Sequence, residues 1–212
     1  MSQQTRRRFL RIATATATGS IVGVAAADDA ATVSHHETFA NGLDGWSIDA
    51  DVADGVEEGT DWSVGVTEDR SLVDGRAASL TLDATAGHGG IWIAREFDVE
   101  PGTAYYGDIG VSGWSPVESE IDLSRIRVYA GPESPTSLED FPTALEAWRL
   151  HGEVGGLVEP LNRTEGWDEF QTGWETPALS TDTITLAVGI QSAWEIDLEH
   201  AIDDVVIELE PR

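Results

Sequence analysis

Six residues combine flat rings or planar polar groups with positions that alternation places on the non-core side of strands. They are Trp92, Tyr106, Arg127, Tyr129, Gln191 and, just beyond the last of these strands, Trp194. Flat aromatic faces stack on the C–H side of pyranose rings, and a guanidinium and an amide hold ring hydroxyls, so two aromatics and an arginine on neighbouring strands of one outer face would make a sugar platform. The chain has eight tryptophans, more than a core of this size requires. Other chemistries find little support. Cysteine is absent, which excludes a disulfide, a zinc thiolate site and a cysteine nucleophile. No Ser-His-Asp pattern or phosphate loop stands out, and the adjacent His35 and His36 are expected to be solvated near the start of the mature chain.

The elements that must position these residues are short strands. In Gly90 to Val111, Ile91, Ile93, Phe97 and Val99 share one parity and Trp92, Ala94, Glu96 and Asp98 the other. Pro101-Gly102 offers a turn, after which Tyr105, Ile109 and Val111 oppose Tyr106 and Asp108, so an antiparallel pair is expected here. Further strands are expected near Glu37–Ala40, Trp62–Val66, Ala78–Leu82, Ile121–Ala130, Trp167–Thr176, Thr183–Gln191 and Ile202–Glu210. The acid- and glycine-rich stretch from Asp49 to Thr60 and the segment Gly152 to Thr164 read as loops. In Ser134 to His151, Leu138, Phe141, Leu145 and Trp148 recur at three- and four-residue steps, which predicts a short helical insertion. In the last strand Asp203, Val205, Ile207 and Leu209 share the inward parity, placing a carboxylate on the core side. The fold class is therefore an all-β sandwich of antiparallel strands carrying a short helical insertion.

The N-terminus carries an address. Thr5-Arg6-Arg7-Arg8-Phe9-Leu10-Arg11 precedes an apolar run to Ala27 that is too short to span a bilayer and ends in a small-residue cleavage site, Ala25-x-Ala27. It resembles a twin-arginine export signal, which implies a secreted protein. The expected organisation is residues 1–27 as signal peptide, 28–34 as a flexible lead-in and 35–212 as one sandwich domain. Beyond Ala27, eight arginines stand against all 39 acidic residues, leaving a net charge of −31 with no lysine. A surface of that kind keeps a protein hydrated at molar salt, where screening removes its self-repulsion, so an extreme halophile is inferred. Nucleic acid and, after signal cleavage, membrane are excluded as partners by the same charge; a monomer is expected.

The sequence of short motifs resembles the galactose-binding-like jelly roll of secreted carbohydrate-binding modules. The residues that carry the likeness are Phe39 to Trp46, Ala78-Ser79-Leu80-Thr81-Leu82 leading to Trp92 and Phe97, Pro101-Gly102-Thr103-Ala104-Tyr105, Trp167 with Phe170, and Ile202 to Ile207. The resemblance implies non-catalytic binding of polysaccharide or cell-surface glycan. It also implies a structural calcium between first and last strands, for which Glu37 and Asp203 are the candidate ligands, although Ala40 stands where the pattern often has an acid. Two other functions compete. Trp194-Glu195-Ile196-Asp197-Leu198-Glu199 resembles the catalytic strand of jelly-roll endoglucanases, with Glu195 and Glu199 as the carboxylate pair of a retaining glycoside hydrolase. Its position argues against that reading, because only thirteen residues follow Glu199. The third is a cell-surface structural or interaction protein. Asn162-Arg163-Thr164 is a glycosylation sequon.

Overall fold

The computed structural model describes residues 30–53, 55–59, 61–83, 88–147, 151–192 and 197–212. The export signal, the 28–29 end of the lead-in, Trp148, Trp194 and Glu195 lie outside them. Eleven strands run through the described residues: β1 Val33–Glu37, β2 Ser47–Asp51, β3 Trp62–Thr67, β4 Ala77–Leu82, β5 Gly90–Asp98, β6 Tyr105–Ser115, β7 Ser124–Gly131, β8 Gly155–Pro160, β9 Gly166–Glu175, β10 Thr183–Ser192 and β11 Leu198–Pro211. They form two antiparallel sheets, one ordered β3-β4-β11-β6-β9 with β1 also paired to β11, the other β2-β5-β10-β7-β8. Ile91, Ile93, Leu186, Val188, Ile126 and Val128 of the second sheet face Leu80, Leu82, Ile109, Val111 and Ile207 of the first, and all are buried in one core.

The expected pair of β5 and β6 does not form. β5 lies between β2 and β10, and β6 between β11 and β9, so the chain crosses from one sheet to the other at Pro101-Gly102. Period two says which residues face inward, and both arrangements bury the same set. The crossing is fixed by Gly102, at φ 84°, whose N–H donates to Leu179 O at 2.6 Å while Leu179 N–H returns a bond to Thr103 O at 2.9 Å.

Several boundaries also move. β1 starts at Val33, paired to Leu209, so the end of the expected lead-in is strand. Phe39, expected within that strand, follows it at φ 53°, held by its N–H donating to Glu37 Oε1 at 2.9 Å. β8 lies wholly in a stretch expected to be loop, and β2 runs into another, over Asp49, Ala50 and Asp51. β8 opens on two glycines for two reasons: a Cβ on Gly155 would lie 2.2 Å from the ring of Trp174, which also packs on Gly107 of β6, while Gly156, at φ 141°, would bring a Cβ 2.0 Å from Val128 O. No helix forms among the described residues of 134–151. The three- and four-residue spacing there instead belongs to a strap of turns, in which Leu138 and Phe141 dock onto a sheet while Leu145 is 78% exposed.

The register of β11 shifts between Asp203 and Val206, and Asp204 adopts φ 52°. Ile202 and Val205 both enter the core, so the bulge turns Asp203 to the opposite face from the one that simple alternation predicts. His200, two residues before Ile202, stays on the inner face opposite Leu80.

Candidate functional site

Four of the six expected platform residues do come together, on the outer face of the second sheet. Trp92 and Arg127 flank Gly189 in one row, Ala94 and Tyr129 flank Ala187 in the next, and Gln191 lies beside Arg125 and Gly90. Their parity is as expected. Their exposure is not, because residues 133–147 cross over them. Phe141 places its ring 5.3 Å from Trp92 and 5.8 Å from Tyr129, both edge-on. Leu138 sits over Gly90, where a Cβ would lie 2.5 Å from its methyl group. The strap is pinned by Leu138 N–H to Asp51 Oδ2 at 2.8 Å, by Arg127 to Leu138 O at 3.3 Å and by the Tyr129 hydroxyl to Glu133 O at 2.6 Å. Arg127 Nε–H also donates to Gln191 Oε1 at 2.8 Å. Trp92 is 1% exposed and Tyr129 4%, so these rings form a second small core and offer no platform. Burial pushes the Tyr129 hydroxyl up to about 12. Tyr106, although exposed, is on the other sheet, between Glu175 and Glu210.

Beside the strap part of this face stays open. A groove of about 480 Å³ is lined by Gly45, Ser47, Ala94, Arg95, Glu96, Ser134 and Thr185. Ser47 Oγ donates to Ala94 O at 3.2 Å, and the Ser134 and Thr185 hydroxyls lie 3.2 Å apart. The charge of Arg95 is directed away, its guanidinium bonding Glu37 Oε2 at 3.3 Å.

The outer face of the first sheet carries an aromatic pair that the sequence reading missed. Trp114 of β6 lies directly opposite Trp167 of β9, and residues so paired have Cβ atoms about 4.5–5.5 Å apart. Both are partly exposed, while Val111 and Phe170 on the same strands point inward. Extending the β6 alternation past Val111 would have placed Trp114 outward with Tyr106; the partner strand of β6 was not legible, and so neither was the pair. Arg70 stacks over Trp114 with Cζ 4.3 Å from the ring centroid and forms an ion pair with Glu199 of β11. Glu199, one half of the expected hydrolase pair, is thus bound to a cation, and Glu195 is outside the described residues.

The two calcium candidates are supplied with donors already. Glu37 accepts Phe39 N–H, Trp46 Nε1–H at 3.0 Å and Arg95. Burial works to raise its pKa, but the Trp46 and Phe39 bonds together with the charges of His35 and Arg95 outweigh it and leave the carboxyl below its ordinary value. Asp203 Oδ2 accepts Leu72 N–H at 2.8 Å and Val73 N–H at 2.9 Å, and Oδ1 accepts Asp204 N–H at 2.8 Å. Burial raises the Asp203 pKa against those bonds. Ca²⁺ needs six to eight oxygens with free lone pairs, and among the described residues no group of three or more His, Asp or Glu converges. Glu37 and Asp203 do not fit a shared calcium; backbone and indole N–H groups do the work assigned to it.

Asn162 is likewise reassigned. It is 1% exposed, its Oδ1 accepts Leu123 N–H and Ser124 N–H, and its Nδ2 donates to Ser119 O and Ile121 O. All of its amide capacity shapes the entry to β7, and no face is left for a glycan.

No family model and no curated protein matches the chain. Solved structures share the sandwich. Arabinose-bound MgGH51 α-L-arabinofuranosidase superposes with a TM-score of 0.50 at 11% identity, over 82% of this chain and 24% of that one. TmCBM61 in complex with β-1,4-galactotriose gives 0.49 at 12%, over 81% and 93%. The CBM22-1 xylan-binding domain from Paenibacillus barcinonensis Xyn10C gives 0.46 at 13%, over 87% and 97%. At these identities the likeness is one of fold.

Proposed function

We propose that this chain is an exported, non-catalytic carbohydrate-binding protein that works in concentrated salt and holds polysaccharide or cell-surface glycan on Trp114 and Trp167. The observation that carries the reading is the cross-strand tryptophan pair on an outer sheet face, flanked by the Arg70–Glu199 ion pair. The outward Trp167 indole offers an apolar plane to the C–H face of a sugar, Trp114 extends the patch with its own ring already stacked by Arg70, and the Arg70–Glu199 pair supplies donors and acceptors for hydroxyls at its edge. Similar sandwiches occur in the carbohydrate-binding modules named above, which agrees with the reading without carrying it.

Glycan affinity in molar salt, measured over a panel of neutral galactans, xylans and glucans, tests the proposal. Trp167→Ala should weaken binding about tenfold or more, equivalent to about 1.4 kcal/mol, with little change in melting temperature. Binding that ignores both Trp167→Ala and Trp114→Ala would refute it. Export rests on the Arg6-Arg7 segment, and the exported chain should begin near Asp28. The brine reading rests on the charge of −31; a melting temperature that is the same at 0.1 and 1 M salt would count against it.

A further inference from the structure

We infer that the open groove over Ala94 is a second glycan site, and that one chain therefore bridges two polysaccharide strands. The inference rests on the carbohydrate reading of the tryptophan pair. That pair is on the outer face of the sheet containing β6 and β9, whereas the groove is on the outer face of the sheet containing β2, β5 and β10. The two sheets pack about 10 Å apart with a filled core between them, so one ligand segment cannot touch both sites.

The groove has the chemistry of a hydroxyl-rich ligand. Its volume lies in the range of small-molecule sites, and its floor is the short side chain of Ala94. Ser47 spends its proton on Ala94 O and keeps lone pairs to accept with. The exposed Ser134 hydroxyl and the buried Thr185 hydroxyl share one hydrogen bond, and with Thr185 as its donor the Ser134 O–H is left to donate outward. Glu96 at the rim accepts only. One free donor among several acceptors suits the vicinal hydroxyls of a sugar. The Glu96 carboxylate repels uronate, sulfate and phosphate, and Arg95 does not compensate because Glu37 holds it. The ligand class is a neutral sugar unit, at a chain end or along a strand.

The test uses the full chain in molar salt with xylohexaose and β-1,4-galactotriose as calorimetric probes, and the parent xylan and galactan in a turbidity assay. Two oligosaccharides should bind per chain, and the chain should cross-link the polysaccharide. Ser47→Phe, which fills the groove from an exposed strand position, should leave one Trp167-dependent site and abolish turbidity; Glu96→Gln, which changes no packing, should weaken the second site alone. Trp167→Ala should leave the groove site. A stoichiometry of one that Trp167→Ala reduces to zero overturns the second site while the carbohydrate reading stands. Turbidity unchanged by Ser47→Phe also overturns it. Absence of any binding removes both.

Discussion

Between pH 6.5 and pH 5 the chain should lose about 2 kcal/mol of stability through one buried imidazole, His200. The ring lies on the inner face of β11, with Nδ1 3.1 Å from the backbone carbonyl of Trp114. A carbonyl only accepts, so Nδ1 carries the proton, and Nε2 has no partner among the described residues. Burial pushes the His200 pKa down from 6.5 to about 4, against the opposing pull of the Trp114 carbonyl and Glu199. Because the folded value is the lower one, the unfolded chain takes up the proton first. The stability is complete above pH 6.5 and drains away as pH falls toward 4, by up to about 1.4 kcal/mol per pH unit. Denaturant unfolding of the wild type and His200→Gln at pH 7.5, 6 and 5, in the same salt, isolates the effect, since the other titrating groups are common to both. The variant is expected to be less stable at pH 7.5 but to show the flatter pH dependence by about 2 kcal/mol. Parallel profiles would refute the placement of a neutral, unpartnered imidazole in the core.

Three further outcomes follow from the packing. Phe141→Ala should cost about 3–5 kcal/mol and shift tryptophan emission to the red as Trp92 meets water, because the ring fills the notch between Trp92 and Tyr129. Asn162→Ala should cost about 2 kcal/mol or more by orphaning buried donors and acceptors, and a chain made in a glycosylating host should show no added mass at Asn162 by intact mass spectrometry. Excess chelator should leave the melting temperature unchanged, whereas Asp203→Ala should lower it by freeing the Leu72 and Val73 N–H groups; a chelator-dependent drop would restore calcium to the site.

Much of this architecture was legible as period two. Ile91 against Trp92, Ile126 against Arg127 and Ile184 against Thr185 separate inner from outer faces wherever one side of a sheet is buried. Alternation carries no information about partners, which is why β5 and β6 looked like a hairpin and are instead divided between sheets. It fails at Asp203, where an extra residue in the bulge reverses the facing of everything before it. It also cannot report what lies on top of an outer face. Trp92 and Tyr129 were correctly placed outward, and the strap then buried them, using the same three- and four-residue spacing that suggested a helix. Asn162 shows the same limit for a motif: its three-residue signature says nothing of the four hydrogen bonds that consume its amide. The tryptophan pair needed a register, Trp114 opposite Trp167, that only the folded sheet supplies.

The central claim is that a sugar chain lies on the Trp114–Trp167 face. Its most direct measurement is the affinity of wild type and Trp167→Ala for the tightest-binding neutral polysaccharide, in molar salt, with groove-directed binding blocked by Ser47→Phe in both. The account predicts a drop of about tenfold or more with an unaltered melting temperature. Equal affinities in the two chains would contradict it.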